Sequence, residues 1–288
     1  MIPREKRDKR RVFDTLPELH KRHGVYIVDK CECTPIVFGG ELLTVTFDRV
    51  AAHGTGILVH RLATRELVAR VPWDRGLGCA IVADGQVRVF GSSSWTARNR
   101  ITTAVLSPGW KLGEAVDVLD AVEGQKIFNT SVAPCPDGYV MAYEVEEPDK
   151  VNFSIRFARS GDLVHWERVG EVFEPDVYAA CPTVRYHDGW YYILYLRHFK
   201  HYVTCIARTR DLATFERFGG NARWPASVAV LSPKGCPHEG INNSDIDMVE
   251  WHGTVVFTYC DGDQQTWMNL RTAVYFGTAA QFFNEFFP

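Results

Sequence analysis

Asp245 and Asp247 stand two residues apart in Ile241-Asn242-Asn243-Ser244-Asp245-Ile246-Asp247-Met248-Val249-Glu250-Trp251, just ahead of the apolar run Thr254 to Tyr259. On a β-strand such spacing turns both carboxylates to one face. That face opens polar where a core strand would open apolar. Acids crowded into a partly desolvated place have their pKa values driven apart, so one can hold a proton while another stays charged. The chemistry open to such a pair is proton transfer coupled to attack on a bond with an oxygen leaving group.

Carboxylates placed this way need a scaffold, and the chain repeats one. Two β-rich runs around a tight glycine turn occur at Ile36 to Phe47, Ala80 to Phe90, Val132 to Tyr143, Val184 to Tyr195 and Met248 to Tyr259. Each is a hairpin signature. Their turn glycines, 40, 85, 138, 189 and 253, are spaced as four-stranded units would be. Two units also share a later strand, an S/T-x-D-L turn (Ser160 to Leu163, Thr209 to Leu212) and an aromatic edge strand. Helix-period segments are confined to Leu16 to Arg22 and a closing piece near Ala279 to Phe287. These features predict an all-β chain, a five-bladed β-propeller of four-stranded antiparallel blades, with a β-sandwich as the alternative. Residues 1–24 read as a leader or closing segment and 25–288 as a single domain.

Composition narrows the function. With 288 residues, 46% hydrophobic, the chain can bury a large core, and its net charge of -3 gives no reason to expect nucleic acid or an anionic membrane as partner. The basic run from Arg4 to Arg11 reads as a solvated terminus. No apolar stretch is long enough for a membrane span and no signal-peptide pattern opens the chain, so the expected address is cytoplasmic. The eight scattered cysteines contain no zinc-type pair of CxxC motifs and are expected as free thiols. There is no P-loop, dinucleotide fingerprint, HExxH or GxSxG elbow.

The strings Ala180-Cys181-Pro182-Thr183-Val184-Arg185-Tyr186-His187-Asp188-Gly189-Trp190-Tyr191-Tyr192 and Asp211-Leu212-Ala213-Thr214-Phe215-Glu216 resemble phrases of five-bladed propeller glycosidases. That group includes glycoside hydrolase families 43 and 117. The resemblance spans about Val25 to the C-terminus and implies the architecture, with an active site at one end of a central tunnel. Family 43 enzymes carry Asp-Pro on the first inner strand and Glu-x-Pro on the fourth, where this chain has Thr34-Pro35 and Cys181-Pro182. That family's catalytic set is therefore not transferred.

Counting back from each turn glycine by twos gives the tunnel-facing positions. They are Glu32 and Thr34, Cys79, Asn129 and Ser131, Cys181 and Thr183, then Asp245 and Asp247. The returning strands add Asp48 and Arg49, Ser92 to Trp95 with Arg98, Glu144 and Glu146, Arg197 and His198, and Asp261 and Asp263 to the same mouth. The loop Gly235 to Gly240 brings His238 and Glu239.

Glycoside hydrolysis needs one protonated and one ionised carboxyl group astride the bond. Asp245 or Asp247 is expected in one role and Glu144 or Glu239 in the other, with Glu32 as base or sugar ligand. Family 117 is described as recruiting a histidine near the acid, which gives His238 its place. Arg197, His198, Asn129, Trp95 and Trp267 complete the expected substrate contacts, the tryptophans as sugar platforms. Asp261-Gly262-Asp263 is a fragment of a calcium loop without the remaining ligand spacing. No metal or other cofactor is expected, with a tunnel cation such as calcium left as an alternative. The expected function is an exo-acting glycoside hydrolase on a short oligosaccharide; a propeller-type glycoside phosphorylase and a non-catalytic carbohydrate-binding propeller are the alternatives.

Overall fold

The structure is a computed structural model and describes residues 19–21, 26–48, 55–93, 97–150, 153–220, 229–233 and 236–288. Two short strands, β1 (His20–Lys21) and β2 (Ile27–Val28), pair antiparallel with the last strand of the chain. A four-stranded antiparallel sheet follows: β3 (Cys31–Phe38), β4 (Glu41–Asp48), β5 (Gly56–Arg61) and β6 (Leu67–Pro72). The second group is β7 (Cys79–Ala83), β8 (Gln86–Ser92) and β9 (Arg100–Ser107), with β10 (Lys111–Leu112) and β11 (Val116–Asp120) both paired to β9. The third is β12 (Lys126–Cys135), β13 (Gly138–Glu146), β14 (Ser154–Ser160) and β15 (Glu167–Phe173).

The fourth group is β16 (Ala180–His187), β17 (Trp190–His198), β18 (Tyr202–Thr209) and β19 (Glu216–Arg217), and the fifth is β20 (Asn242–Trp251), β21 (Thr254–Gly262) and β22 (Met268–Tyr275). One parallel pair, Tyr202 opposite Asn242, joins these last two groups into a nine-stranded sheet. The described residues are thus all-β apart from helix α1 (Ala279–Phe286), which is capped by Thr278 and Gln281 and buries Phe282, Phe283 and Phe286 against the fourth and fifth groups. Of the segment around Leu16 to Arg22, read as helical, residues 19–21 are described and the rest lies outside the described residues; His20 and Lys21 are strand. These two residues complete the edge of β22, pairing with Val274 and Ala273.

The turns explain why the hairpins form where they do. Gly39-Gly40, Asp84-Gly85, Asp188-Gly189 and His252-Gly253 all place both central residues at positive φ. That is the primed turn whose twist matches a hairpin, and it demands glycine in the second place. The S/T-x-D-L turns are built alike: Ser160 Oγ accepts from Leu163 N at 2.8 Å, and Thr209 Oγ1 from Leu212 N at 2.9 Å.

Packing runs face to face between consecutive groups. Apolar clusters join the first to the second around Trp73, the second to the third around Phe90, the third to the fourth around Phe173 and the fourth to the fifth around Phe257. A fifth cluster holds Cys31, Cys33 and Leu62 against Val256, Cys260, Leu270 and Val274, so the last group also packs on the first. The leading strands are neighbours in the same succession: β3 with β7, β7 with β12, β12 with β16, β16 with β20, and β20 with β3. All eight cysteines are free, five of them buried. No helix among the described residues is long and apolar enough to cross a membrane.

Candidate active site

The five leading strands surround one narrow cavity that opens at a mouth. Glu32, Cys79, Asn129, Ser131, Cys181, Thr183, Asp245 and Asp247, all expected to face inward, line it. Thr34 is taken up by the strand packing, its Oγ1 accepting from Ala80 N at 3.3 Å. Ser131 accepts from Val184 N at 3.1 Å, and Thr183 donates to the Ile246 carbonyl. Hydroxyls of one leading strand thus bond the backbone of the next, satisfying groups that no ladder reaches.

At the mouth, four leading strands break register at the same place. Glu32, Asn129, Cys181 and Asp245 each sit at a β-bulge with φ between 43° and 50°. Left-handed backbone at a non-glycine residue is costly and clusters at functional sites, and a bulge re-aims the side chain it carries. The second group has Gly78 there instead. A Cβ on it would lie 2.1 Å from Thr130 Oγ1 and 2.7 Å from Thr130 N, so β12 leaves room for no side chain.

Glu144, on β13 behind this ring, is buried. Its Oε2 accepts from Cys181 N at 2.8 Å and from Asn129 Nδ2 at 2.9 Å. Burial pushes its carboxyl up to about 7; the two donors and Arg98 oppose that rise, and the Asp245 charge adds to it. With both donors on Oε2, a bound proton belongs on Oε1, the oxygen those donors leave free. Asp245 is half-buried at the mouth and accepts from Ser244 Oγ at 2.5 Å.

Asp247 lies one step deeper and is closely held. Arg185 donates to its Oδ1, which also accepts from Met248 N at 2.7 Å, while burial raises its pKa against the pull of Arg185. The same guanidinium reaches the Met248 carbonyl at 2.9 Å, the Val184 carbonyl at 2.7 Å and Ser131 Oγ at 3.4 Å, and so ties β12, β16 and β20 together. Cys79, beside it, has its thiol pushed up to about 12 by burial and by the Asp247 charge. Glu32 is buried and accepts from Leu77 N at 3.3 Å.

Other expected residues do not line the cavity. Glu239 does not line the cavity: it receives Lys21 Nζ at 2.6 Å, Tyr259 Oη at 2.8 Å and Asn243 Nδ2 at 3.0 Å. His238 is exposed, and its carbonyl accepts from Arg271 at 2.8 Å while that arginine also pairs with Asp261. Arg197 turns toward Glu174 at 3.9 Å and over the Phe199 ring. His198 stacks flat on Tyr202. Trp267 belongs to a loop tied by Asp263, whose Oδ1 accepts from Gln265, Thr266 and Trp267 N–H groups. Trp95 and Arg49 fall outside the described residues. Arg185 was missed, although it continues the same period of two past Thr183; Tyr178, from a connection ahead of β16, gave no periodic signal. Among the described residues no three of His, Cys, Asp and Glu converge as a metal site.

No protein-family model matches the chain, and no curated protein matches it in sequence. Solved structures do match in shape. A Bacillus subtilis levansucrase superposes with a TM-score of 0.61 at 11% identity, over 82% of this chain and 80% of that one. A glycoside hydrolase matches with a TM-score of 0.64 at 13% identity, over 96% of both chains. A thermostable family-43 glycoside hydrolase matches with a TM-score of 0.64 at 14% identity, over 88% of this chain and 91% of that one. The chain therefore has the fold of these propeller-type glycoside hydrolases.

Proposed function

We propose that the chain is a glycoside hydrolase with its five groups arranged as the blades of a five-bladed propeller, and that it cleaves a terminal sugar from a short oligosaccharide. The blade count draws support from the leading strands, which neighbour one another in succession and return from β20 to β3. The activity is carried by one observation: Glu144, buried just behind the leading strands with its pKa near 7, is held by the amide of Cys181, which lines the cavity together with Asp245. Glu144 gives the proton on Oε1 to the glycosidic oxygen as the C–O bond breaks. Asp245 supplies the second carboxylate, toward the anomeric carbon, directly or through one water that adds its oxygen there. Glu32 binds sugar hydroxyls. Asp247, spent on Arg185, positions β16 against β20.

The test is release of reducing sugar from a panel of oligosaccharides, with and without inorganic phosphate. Glu144→Gln and Asp245→Asn should each lower turnover about 10²–10⁴-fold with the fold kept, asparagine being tolerated at positive φ. Wild-type turnover by both variants would sink this assignment. Turnover that requires phosphate would make the enzyme a phosphorylase.

A further inference from the structure

A run of aromatic rings outside the cavity lining comes close to Cys181, Glu144 and Asp245 through Tyr178 and has no part in the carboxylate chemistry. Phe153 meets Tyr178 edge to face with centroids 5.4 Å apart, Tyr178 meets Tyr202 at 5.8 Å and His198 at 6.0 Å, and His198 lies flat on Tyr202 at 4.1 Å and 13°. Phe128, edge-on to Phe153 at 5.7 Å, anchors the run from within. Tyr178 and Tyr202 are half-buried and His198 is exposed, although rings of this size usually fill gaps between sheets.

The run lies on the Glu144 side of the cavity. Phe128 stands opposite Glu144 in the β12–β13 ladder. Tyr178 precedes by three residues the Cys181 amide that holds Glu144 Oε2, and Ala179 N donates to the Phe153 carbonyl at 2.8 Å. Burial raises the Tyr178 hydroxyl's pKa first, and the nearby Cys181, Glu144, Tyr202 and Asp245 groups add to the rise.

A general acid must stand next to the oxygen it protonates, so the leaving group lies on the acid's side of the anomeric carbon. We propose that Tyr178, Tyr202 and His198 form the subsite for the leaving sugar, which packs its C–H face on the rings while the sugar being cleaved off faces Asp245 and Glu32. This orientation rests on the glycosidase reading above. It makes the substrate at least a disaccharide and gives it one direction of entry.

The experiment compares the best oligosaccharide from the panel with the glycosyl fluoride of the same terminal sugar, whose leaving group offers nothing to stack. In Tyr178→Ala, and in His198→Ala at its exposed position, the ratio of kcat/KM for oligosaccharide over fluoride should fall about tenfold or more, mainly through KM. Tyr178→Phe should keep the wild-type ratio. An unchanged ratio in both alanine variants overturns the subsite while leaving the hydrolase standing. A wild type that turns over neither substrate overturns the glycosidase reading, and the subsite with it.

Discussion

Glu144 carries the sharpest consequence of its surroundings. Its folded pKa of about 7 lies above the ordinary 4.5, so the folded state binds the proton more tightly than the unfolded chain does. The resulting stability is fully present below about pH 4.5 and is lost as pH rises through 7, amounting to roughly 3 kcal/mol. Glu144→Gln keeps the neutral form at every pH. In urea titrations the wild type should lose stability relative to this variant between about pH 5 and pH 8; parallel curves would mean that Glu144 is charged throughout. Turnover limited by the acid should fall over the same rise in pH. The carboxyl's place near the inner strands was legible from its position at the end of a hairpin. Its neighbours were not, because the bond from Cys181 N joins residues 37 apart in the chain.

At the scale of the element, the bulges decide what the leading strands can present. The sequence indicated the hairpins, their glycine turns and the inward positions, since each follows from a period of two and a turn type. The four bulges were invisible to that count, as Glu32, Asn129, Cys181 and Asp245 are not residues whose type demands left-handed backbone. The strain there is testable: Asn129→Gly should be more stable than Asn129→Ala by about 1 kcal/mol, because both lose the bond to Glu144 and only alanine pays for positive φ. Equal thermal midpoints would show that this strand relaxes out of its bulge when the side chain is cut back. The bulges also account for the altered roles of the two aspartates: Asp245 is turned into the mouth, while Asp247 is set deeper against Arg185.

At the scale of the molecule, the cluster around Glu239 ties β1 to the fifth group. Glu239 was expected at the cavity and Lys21 carried no signal in the sequence; their meeting depends on a contact between residues 218 apart. The Glu239 side chain is 4% exposed, so removing Lys21 leaves a buried charge whose other cation, Arg271, stands 3.9 Å away and is engaged with Asp261. Lys21→Ala should cost about 2–4 kcal/mol in urea unfolding, whereas Lys21→Met combined with Glu239→Gln should recover much of the loss. A double variant as unstable as the single one would locate the effect in packing and not in charge.

The packing of the fifth group on the first also sets an order in time. Hairpins within each group need only local contacts, but this seam joins Cys33 to Asp245, 212 residues on, and Asp29 to Asn269, 240 residues on. Contacts of such separation form late, after the local ones have shortened the chain between them. Glu32 and Asp245 stand on opposite banks of the seam, so the cavity mouth is among the last parts of the molecule to come into being.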